Sequence, residues 1–253
     1  MNSAQIKFTF LFIGIFFQAF IVFAQSNVLD EVALLNKQKN YHQAISKANA
    51  ALNRKVKPLD NPTKAKLLFL KGYSFQCLAA TEASAFDSTL VTYQKVLKFD
   101  PKHTGALLNL GFMYGDMEEY EKSNYYLEEL LRISPADFGA LNNIAYNKNQ
   151  SGDYKGAIDY ADKAFNVAPD STNKGMALNN KGYAYLKLGK FKESLLYIDN
   201  SLKFFPTNSF AYYYKALVYI EQKKYTDACP YLNKSKAMGG VNLTSDLLKK
   251  YCK

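Results

Sequence analysis

The chain has 253 residues, of which 48% are hydrophobic, and carries a formal net charge of +10. Its excess of positive charge is almost entirely lysine, since arginine occurs only at Arg54 and Arg132. Nucleic-acid readers rely on the bidentate contacts of arginine, so this composition argues against that class of function. The lysines form either a solvated surface or a surface that binds anionic polymers.

The amino terminus has the composition of a secretory signal peptide. A short polar start with the single base Lys7 precedes the apolar run FTFLFIGIFFQAFIVFA, which closes on Val22 and Ala24. We predict a signal peptide over residues 1–24, cleaved after Ala24, so that the mature chain has no stable membrane span. An uncleaved anchor is the alternative, because the run is long for a signal core but short for a span. No cysteine follows the run, which argues against a lipoprotein.

The amino-acid bias bears on the compartment of this chain. Lysine, asparagine and tyrosine are abundant while arginine is scarce, which favours an AT-rich bacterial genome. Together with the signal peptide, this bias predicts an exported bacterial protein, either periplasmic or secreted.

Beyond residue 60 the chain repeats itself, and Pro101, Pro135 and Pro169 lie at intervals of 34 residues. A small residue recurs in each unit, with a large apolar residue three positions later and another four positions earlier in most units. Because residues three and four positions apart share a helical face, these columns mark one helix per unit. The small column consists of Gly72, Gly111, Ala145, Gly182 and Ala216.

Later columns mark a second helix in each unit. An aromatic residue begins the set, a small residue follows three positions on, and proline ends most units because it cannot continue a helix. The aromatic column consists of Phe86, Tyr120, Tyr154, Phe191 and Tyr225, and a column one helical turn beyond the small residue consists of Tyr93, Leu127, Ala161, Ile198 and Leu232. Each unit is therefore predicted to be a helix, a turn and a helix, in an all-α protein.

This set of columns closely resembles the tetratricopeptide repeat, for which a period of about 34 residues is typical. The best match runs from Thr104 through LLNLGFMYGDMEEYEKSNYYLEELLRISP to Pro135. The resemblance implies an α-solenoid of helix–turn–helix repeats. The predicted units are residues 25–60 as a degenerate first repeat, 62–101 as a repeat with an insertion, 104–135, 138–169, 175–206 and 209–240 as repeats, and 241–253 as a capping helix.

Three departures from the pattern lead to further predictions. The stretch CLAATEASAFDS adds five residues, which we expect to lengthen the first helix of its repeat or the following turn. The stretch DSTNKG adds three residues, which we expect to lengthen the loop between two repeats. Lys71, Lys181 and Lys215 occupy a column that is apolar at Leu110 and Ile144, and we expect their stems to pack while their amines reach water.

Two of the three cysteines lie where a disulfide is predicted. Cys229 falls on the second helix of the last repeat and Cys252 at the end of the capping helix, so a bridge would tie the cap to the array. The closing stretch also resembles the last repeat of many exported bacterial proteins of this type. Two unpaired, buried thiols are the alternative. With a bridge formed, Cys77 is the odd thiol.

A search for reaction chemistry finds no candidate. Neither His42 nor His103 has a cysteine or carboxylate partner at metal-ligand spacing, and the sequence has no phosphate-binding loop and no nucleophile elbow. We therefore predict no catalytic residue, no metal and no cofactor.

By resemblance to the family, first helices line a concave groove, and aromatic and amide residues recur there. An asparagine both donates and accepts hydrogen bonds, so a ladder of them suits the backbone of an extended peptide, while aromatic rings add apolar contact area. Packing between neighbouring first helices is the alternative role for both residue types. The predicted groove residues are Tyr73, Phe112, Tyr146, Tyr183, Asn109, Asn142, Asn143, Asn179, Asn180 and Tyr213.

These observations lead to two hypotheses of function. The first is a non-catalytic, exported scaffold that binds a protein or peptide segment along its groove, with no oligomeric state indicated. The second is a lysine-rich surface that binds anionic envelope polymers or lipid headgroups.

Overall fold

The computed structural model describes residues 28–56, 58–240 and 244–252. All regular structure in these residues is α-helical, which confirms the predicted all-α fold. The predicted signal peptide, residues 1–24, lies outside the described residues. Within the described ranges, no helix is both long and apolar enough to cross a membrane.

Helices follow one another along the chain with short connections. The first six are α1, which includes residues 28–37, α2 (Tyr41–Leu52), α3 (Asn61–Leu78), α4 (Ala83–Phe99), α5 (Thr104–Asp116) and α6 (Tyr120–Ile133). The remainder are α7 (Phe138–Gln150), α8 (Tyr154–Val167), α9 (Ser171–Lys187), α10 (Phe191–Phe204), α11 (Ser209–Glu221), α12 (Tyr225–Ala237) and α13 (Thr244–Tyr251).

The helices form two compact units, and the division falls inside α5, after Leu110. In the first unit α3 packs against both α2 and α4. In the second unit each helix from α6 to α13 packs against the next, and α9 also contacts α7 and α11. Because α7, α9 and α11 are the first helices of successive repeats, this is the packing of a tetratricopeptide solenoid.

The small-residue column lies where two helices of one repeat approach most closely. A Cβ added at Gly182 would lie 2.6 Å from Ile198 Cγ1, and one added at Gly72 would lie 2.6 Å from the ring of Tyr93. Ser194 Oγ donates a hydrogen bond of 2.8 Å to the backbone oxygen of Gly182 at the same crossing. The paired columns predicted from the sequence therefore face each other across the core.

The DSTNKG insertion lengthens a helix, so the prediction of a longer loop was wrong. Asp170 caps α9 by accepting a hydrogen bond of 2.9 Å from the Asn173 N–H, and α9 has 17 residues where α7 has 13. The added turn is held against α10, because Ser201 Oγ donates to the backbone oxygen of Gly175 at 2.7 Å. An early cap and these contacts make helix more stable than loop at this position.

The insertion in the repeat of residues 62–101 extends mainly the second helix. α4 begins at Ala83, three residues before Phe86, whereas α6 begins at the equivalent Tyr120. The expected lengthening of the first helix or its turn therefore accounts for only the smaller part of the five residues. DSTNKG and CLAATEASAFDS both add helix because the extra residues can continue an existing hydrogen-bonded ladder.

Two of the three amines of the lysine column are bound by carboxylates, which corrects the expectation that they reach water, while Lys71 has no carboxylate partner among the described residues and lies over the ring of Phe75. Lys181 Nζ lies 2.6 Å from Asp162 Oδ1, and Lys215 Nζ lies 2.5 Å from Asp199 Oδ1. Each carboxylate belongs to the second helix of the preceding repeat, so the pairs join successive repeats. Lys181 Nζ also lies 4.4 Å from the ring centroid of Tyr197, which adds a cation–π contact.

A disulfide joins the carboxy-terminal helix to the last repeat. The Sγ atoms of Cys229 and Cys252 are bonded at 2.04 Å, and Cys77 is a free, half-buried thiol. Leu247 and Leu248 of α13 pack against the core of the last repeats, and Tyr251 stacks on Tyr225 at 4.9 Å. α13 therefore covers apolar surface at this end of the second unit.

Candidate functional site

A cavity of about 580 Å³ lies in the second unit on the first helices of three successive repeats. α7 contributes Asn142, Asn143 and Tyr146, and α9 contributes Met176, Asn179 and Asn180. Five of these six side chains, all except Met176, belong to the predicted groove set. The volume is within the range of pockets that hold a small molecule or a few residues of a peptide.

Residues that the groove prediction did not include complete the wall of the cavity. Phe210 and Tyr214 come from α11, Phe205 and Asn208 from the connection before it, and Met238 follows α12. Tyr214 stands in the same repeat column as Asn180, and this column was the signal in the sequence that could have identified it. Asp116, at the end of α5, is the only charged side chain among the described residues that line the cavity.

Most of the predicted asparagine ladder is hydrogen-bonded within the fold. Asn180 Nδ2 donates to the backbone oxygen of Asn142 at 3.1 Å and to its Oδ1 at 3.0 Å. Asn143 Nδ2 donates to the backbone oxygen of Gly139 at 2.8 Å. The bonds from Asn180 join α9 to α7, the bond from Asn143 stays within α7, and together they leave fewer amide groups for a ligand.

Asn179 differs from the other members of the ladder. Only 7% of its surface is exposed, and its Oδ1 has no hydrogen-bond partner among the described residues. The repeat pairing explains this: Asn180 donates to Asn142 of the repeat before, and the residue in the Asn180 column of the next repeat is Tyr214. A tyrosine in place of the donating amide interrupts the ladder at Asn179, on the cavity wall.

The aromatic members of the predicted set divide between surface and core. Tyr146 lines the cavity and remains 37% exposed. Tyr183 packs against Tyr214 with ring centroids 4.5 Å apart, and Tyr213 is buried, with 9% of its surface exposed. Burial raises the pKa of both Tyr183 and Tyr213 above the ordinary value of tyrosine. Tyr146 is therefore the ring best placed to contact a partner, while Tyr183 and Tyr213 stabilise the fold.

The remaining predicted residues do not line this cavity. Phe112 is half-buried in the second unit. Tyr73 and Asn109 belong to the first unit, where Tyr73 is 44% exposed and Asn109 is half-buried. Asn109 lies beside the buried Tyr93, whose hydroxyl donates to Gln76 Oε1 at 2.7 Å and whose pKa burial raises far above its ordinary value. The structure therefore uses Asn109 in packing.

A single carboxylate, that of Asp116 at the end of α5, forms the acidic end of the cavity. Partial burial raises the pKa of the Asp116 carboxyl. Burial also raises the pKa of the Tyr146 hydroxyl, and the carboxylates of Asp116 and Glu118 add to the effect. The opposite end is apolar, with Met176, Phe210 and Met238 in its wall. The site thus combines an acidic end, an amide wall and an apolar end.

Reaction chemistry has no visible centre in the described ranges. They contain no group of three or more histidine, cysteine, aspartate or glutamate side chains that could hold a metal ion. The cavity lining consists of amides, hydroxyls, rings, thioethers and one carboxylate. Such a lining suits the binding of a segment by shape and hydrogen bonds.

Helix pairs at this period, with a cavity on the first helices, define a helix–turn–helix repeat protein of the tetratricopeptide fold class. Family models agree with that class over parts of the chain. Residues 104–137 match the model described as tetratricopeptide repeat. Residues 150–235 match the model described as anaphase-promoting complex, cyclosome, subunit 3.

Solved structures share the fold at low sequence identity. The chain is similar to a chain of the Cut9–Hcn1 hetero-tetramer of the APC/C, with a TM-score of 0.67 and 18% identity over 90% of this chain, and spans 43% of that chain. It is similar to a tetratricopeptide repeat protein from Parabacteroides merdae ATCC 43184, with a TM-score of 0.66, 17% identity and coverage of 90% and 99% of the two chains. It is also similar to MamA from Desulfovibrio magneticus RS-1, with a TM-score of 0.56 and 15% identity, over 69% of this chain and 94% of the MamA chain. No curated protein matches the sequence.

Proposed function

We propose that this protein is a non-catalytic, exported bacterial scaffold that binds a segment of a partner protein in the cavity formed by α7, α9 and α11. The observation that carries the proposal is a cavity of about 580 Å³ whose wall includes Asn179, a side chain whose Oδ1 has no hydrogen-bond partner among the described residues. This Oδ1 is closed to solvent in the unliganded fold. An unpaired buried acceptor costs free energy, and a bound segment supplies the missing donor when the amide turns towards its backbone N–H.

Two further features support a protein ligand. Successive first helices present their side chains on one continuous face, along which an extended segment can lie. A solved structure of the same fold, that of Cut9–Hcn1, is described as a hetero-tetramer, so this fold takes part in protein assembly there. The exported setting rests on the signal-like amino terminus.

Capture of a partner by the protein and by a Tyr146→Ala variant tests the proposal. Tyr146 lines the cavity and is 37% exposed, so its removal should reduce capture while the helical content stays unchanged. Tyr125→Ala is the matched control, because Tyr125 is 59% exposed on α6 and does not line the cavity. The measurement is recovery of partner proteins from an extract of the exported fraction, with circular dichroism for helical content. Equal capture by both variants and the unaltered protein would contradict the proposal.

Ionic strength separates this function from attachment through surface lysines. Binding of anionic polymers through many lysines weakens steeply between low and moderate salt, because salt screens exposed charges. Docking in a cavity lined mainly by amides and rings should change little over the same range. A steep loss of partner capture with salt would favour the lysine surface instead.

A further inference from the structure

We propose that the cavity selects partner segments that carry a lysine or arginine, which pairs with Asp116, next to a backbone N–H that donates to Asn179. This inference rests on the proposed function and adds the chemistry of the bound segment.

Asp116 is an uncompensated carboxylate in a strongly basic protein. The chain carries a net charge of +10, yet no ion pair among the described residues includes Asp116 or Glu118. Other carboxylates of the second unit, such as Glu121 and Glu128, are also without an ion pair among the described residues, but they do not line the cavity, whereas Asp116 does. A carboxylate that stays unpaired on a cavity wall is complementary to a cation brought by a ligand.

The surroundings of Asp116 favour such a pair. Partial burial raises the pKa of its carboxyl, so the ionised form lacks part of its hydration and gains when a cation arrives. Tyr146 lies near enough for the charges of Asp116 and Glu118 to raise the pKa of its hydroxyl, and the face of its ring can contact the stem or charge of a basic side chain.

Asn179 supplies the second, independent anchor. Its side chain is more than nine-tenths buried, lines the same cavity and has an Oδ1 without a partner in the described ranges. The Oδ1 is closed to solvent in the unliganded fold, so a backbone N–H of the bound peptide pairs with it once the amide turns towards the cavity. Every residue of a peptide except proline carries such an N–H. The apolar end, with Met176 and Phe210, then accommodates a large apolar side chain of the same segment. A compact cation would fill only the acidic end, so the whole lining favours a peptide.

Selection of random decapeptides displayed on phage against the immobilised protein tests this inference. The selected peptides should share a lysine or arginine at a fixed distance from a large apolar residue. When the Asp116→Lys variant is the immobilised target, the selected peptides should carry aspartate or glutamate in place of the basic residue. Glu121→Lys is the matched control, because Glu121 is exposed on α6 and does not line the cavity, and it should select the same peptides as the unaltered protein.

Affinity for one selected peptide, made synthetically, gives the quantitative arm. Asp116→Asn should weaken binding by about fivefold, the effect of losing one partly exposed ion pair. Two outcomes would overturn this inference and leave the proposed function standing. In one, the peptides selected by the unaltered protein show no preference for a basic residue; in the other, the Asp116→Lys variant selects the same basic peptides. Failure of the unaltered protein to select any peptide would overturn both.

Discussion

Asn180 and Asn142 are joined by hydrogen bonds of 3.1 and 3.0 Å that run from one amide nitrogen to the backbone and side-chain oxygens of the other residue. The two residues belong to the first helices of neighbouring repeats, and each is 7% exposed. Asn179, adjacent to Asn180 in sequence and equally buried, has an oxygen that no other described residue hydrogen-bonds. Neighbouring positions of one ladder therefore have different uses, one in the fold and one at the cavity.

This contrast predicts opposite phenotypes for two alanine variants. Asn180→Ala should lower the free energy of unfolding by about 1–3 kcal/mol, because it leaves buried oxygens of Asn142 without their donor. Asn179→Ala should change it by less than about 0.5 kcal/mol and should instead weaken partner binding. Chemical denaturation and partner capture measure the two effects. A large loss of stability in Asn179→Ala would show that Asn179 has a structural role.

A second prediction concerns the close approach of α9 and α10. Gly182→Ala should destabilise the protein by about 1–3 kcal/mol, because overpacking a filled core forces neighbouring atoms to shift. The new Cβ would lie 2.6 Å from Ile198 Cγ1 and 3.2 Å from the backbone nitrogen of Ile198. Gly115→Ala is the control, because its nearest neighbours would lie 3.4 Å away. In thermal unfolding, Gly115→Ala should be neutral or should stabilise the protein by up to about 1 kcal/mol. Equal unfolding midpoints for the two variants would show that the contact of α9 with α10 at Gly182 is not tightly packed.

A third prediction concerns pH and the start of α5. Burial lowers the pKa of the His103 imidazole, and its Nδ1 accepts a hydrogen bond of 3.2 Å from the Ala106 N–H, which requires that nitrogen to be unprotonated. The imidazole therefore binds a proton more readily in the unfolded chain than in the folded one. The contribution of neutral His103 to the free energy of unfolding is fully present above the pKa of the unfolded imidazole, about 6.5, and is lost as the pH falls through its folded pKa.

His103→Asn should reduce this pH dependence, because asparagine retains an acceptor at the helix start and does not titrate. Denaturation midpoints at pH 7.5 and at pH 5.5 provide the measurement. His42→Asn is the control, since the His42 side chain is 72% exposed. An equal fall in midpoint for the His103 variant and the unaltered protein would assign the pH dependence to other groups.

A fourth prediction concerns the disulfide. Cys252→Ser should lower the stability of the second unit by on the order of 3 kcal/mol, because the bridge closes a loop and restricts the unfolded chain. Cys229 and Cys252 are 23 residues apart, and the free Cys77 lies in the first unit, so Cys77→Ser is the control. Denaturation of each variant, with and without a dithiol reductant, provides the measurement. An unchanged midpoint for Cys252→Ser would mean that contacts such as Tyr251 on Tyr225 hold α13 in place without the bridge.

The helix pairs could be predicted from the sequence because they depend on local periodicity. Gly182 and Ile198 recur in columns that only a helix places on one face, and tight packing between helices requires a small residue opposite a large one. The relationship of Gly72 to Tyr93 follows the same rule. Five of the ten predicted groove residues line the cavity, because they share the face of the first helices.

Hydrogen-bond partners, ion pairs and insertions could not be derived in the same way. Whether Asn179 or Asn180 is satisfied depends on which residue a neighbouring repeat brings opposite, and Lys181 finds Asp162 only when two repeats stack. The three residues added near Asp170 could join either loop or helix, and contacts with α10 decided for helix. Asp116 carries no periodic signal, and only the cavity gives it a role.

The sequence by itself determined the repeat, the all-α fold class and the face on which a site could lie, since these follow from side-chain spacing along each helix. The tertiary structure decided which groups on that face are already paired and which remain open. Pairing depends on contacts between repeats about 34 residues apart, and the energy of a buried polar group depends on whether a partner reaches it.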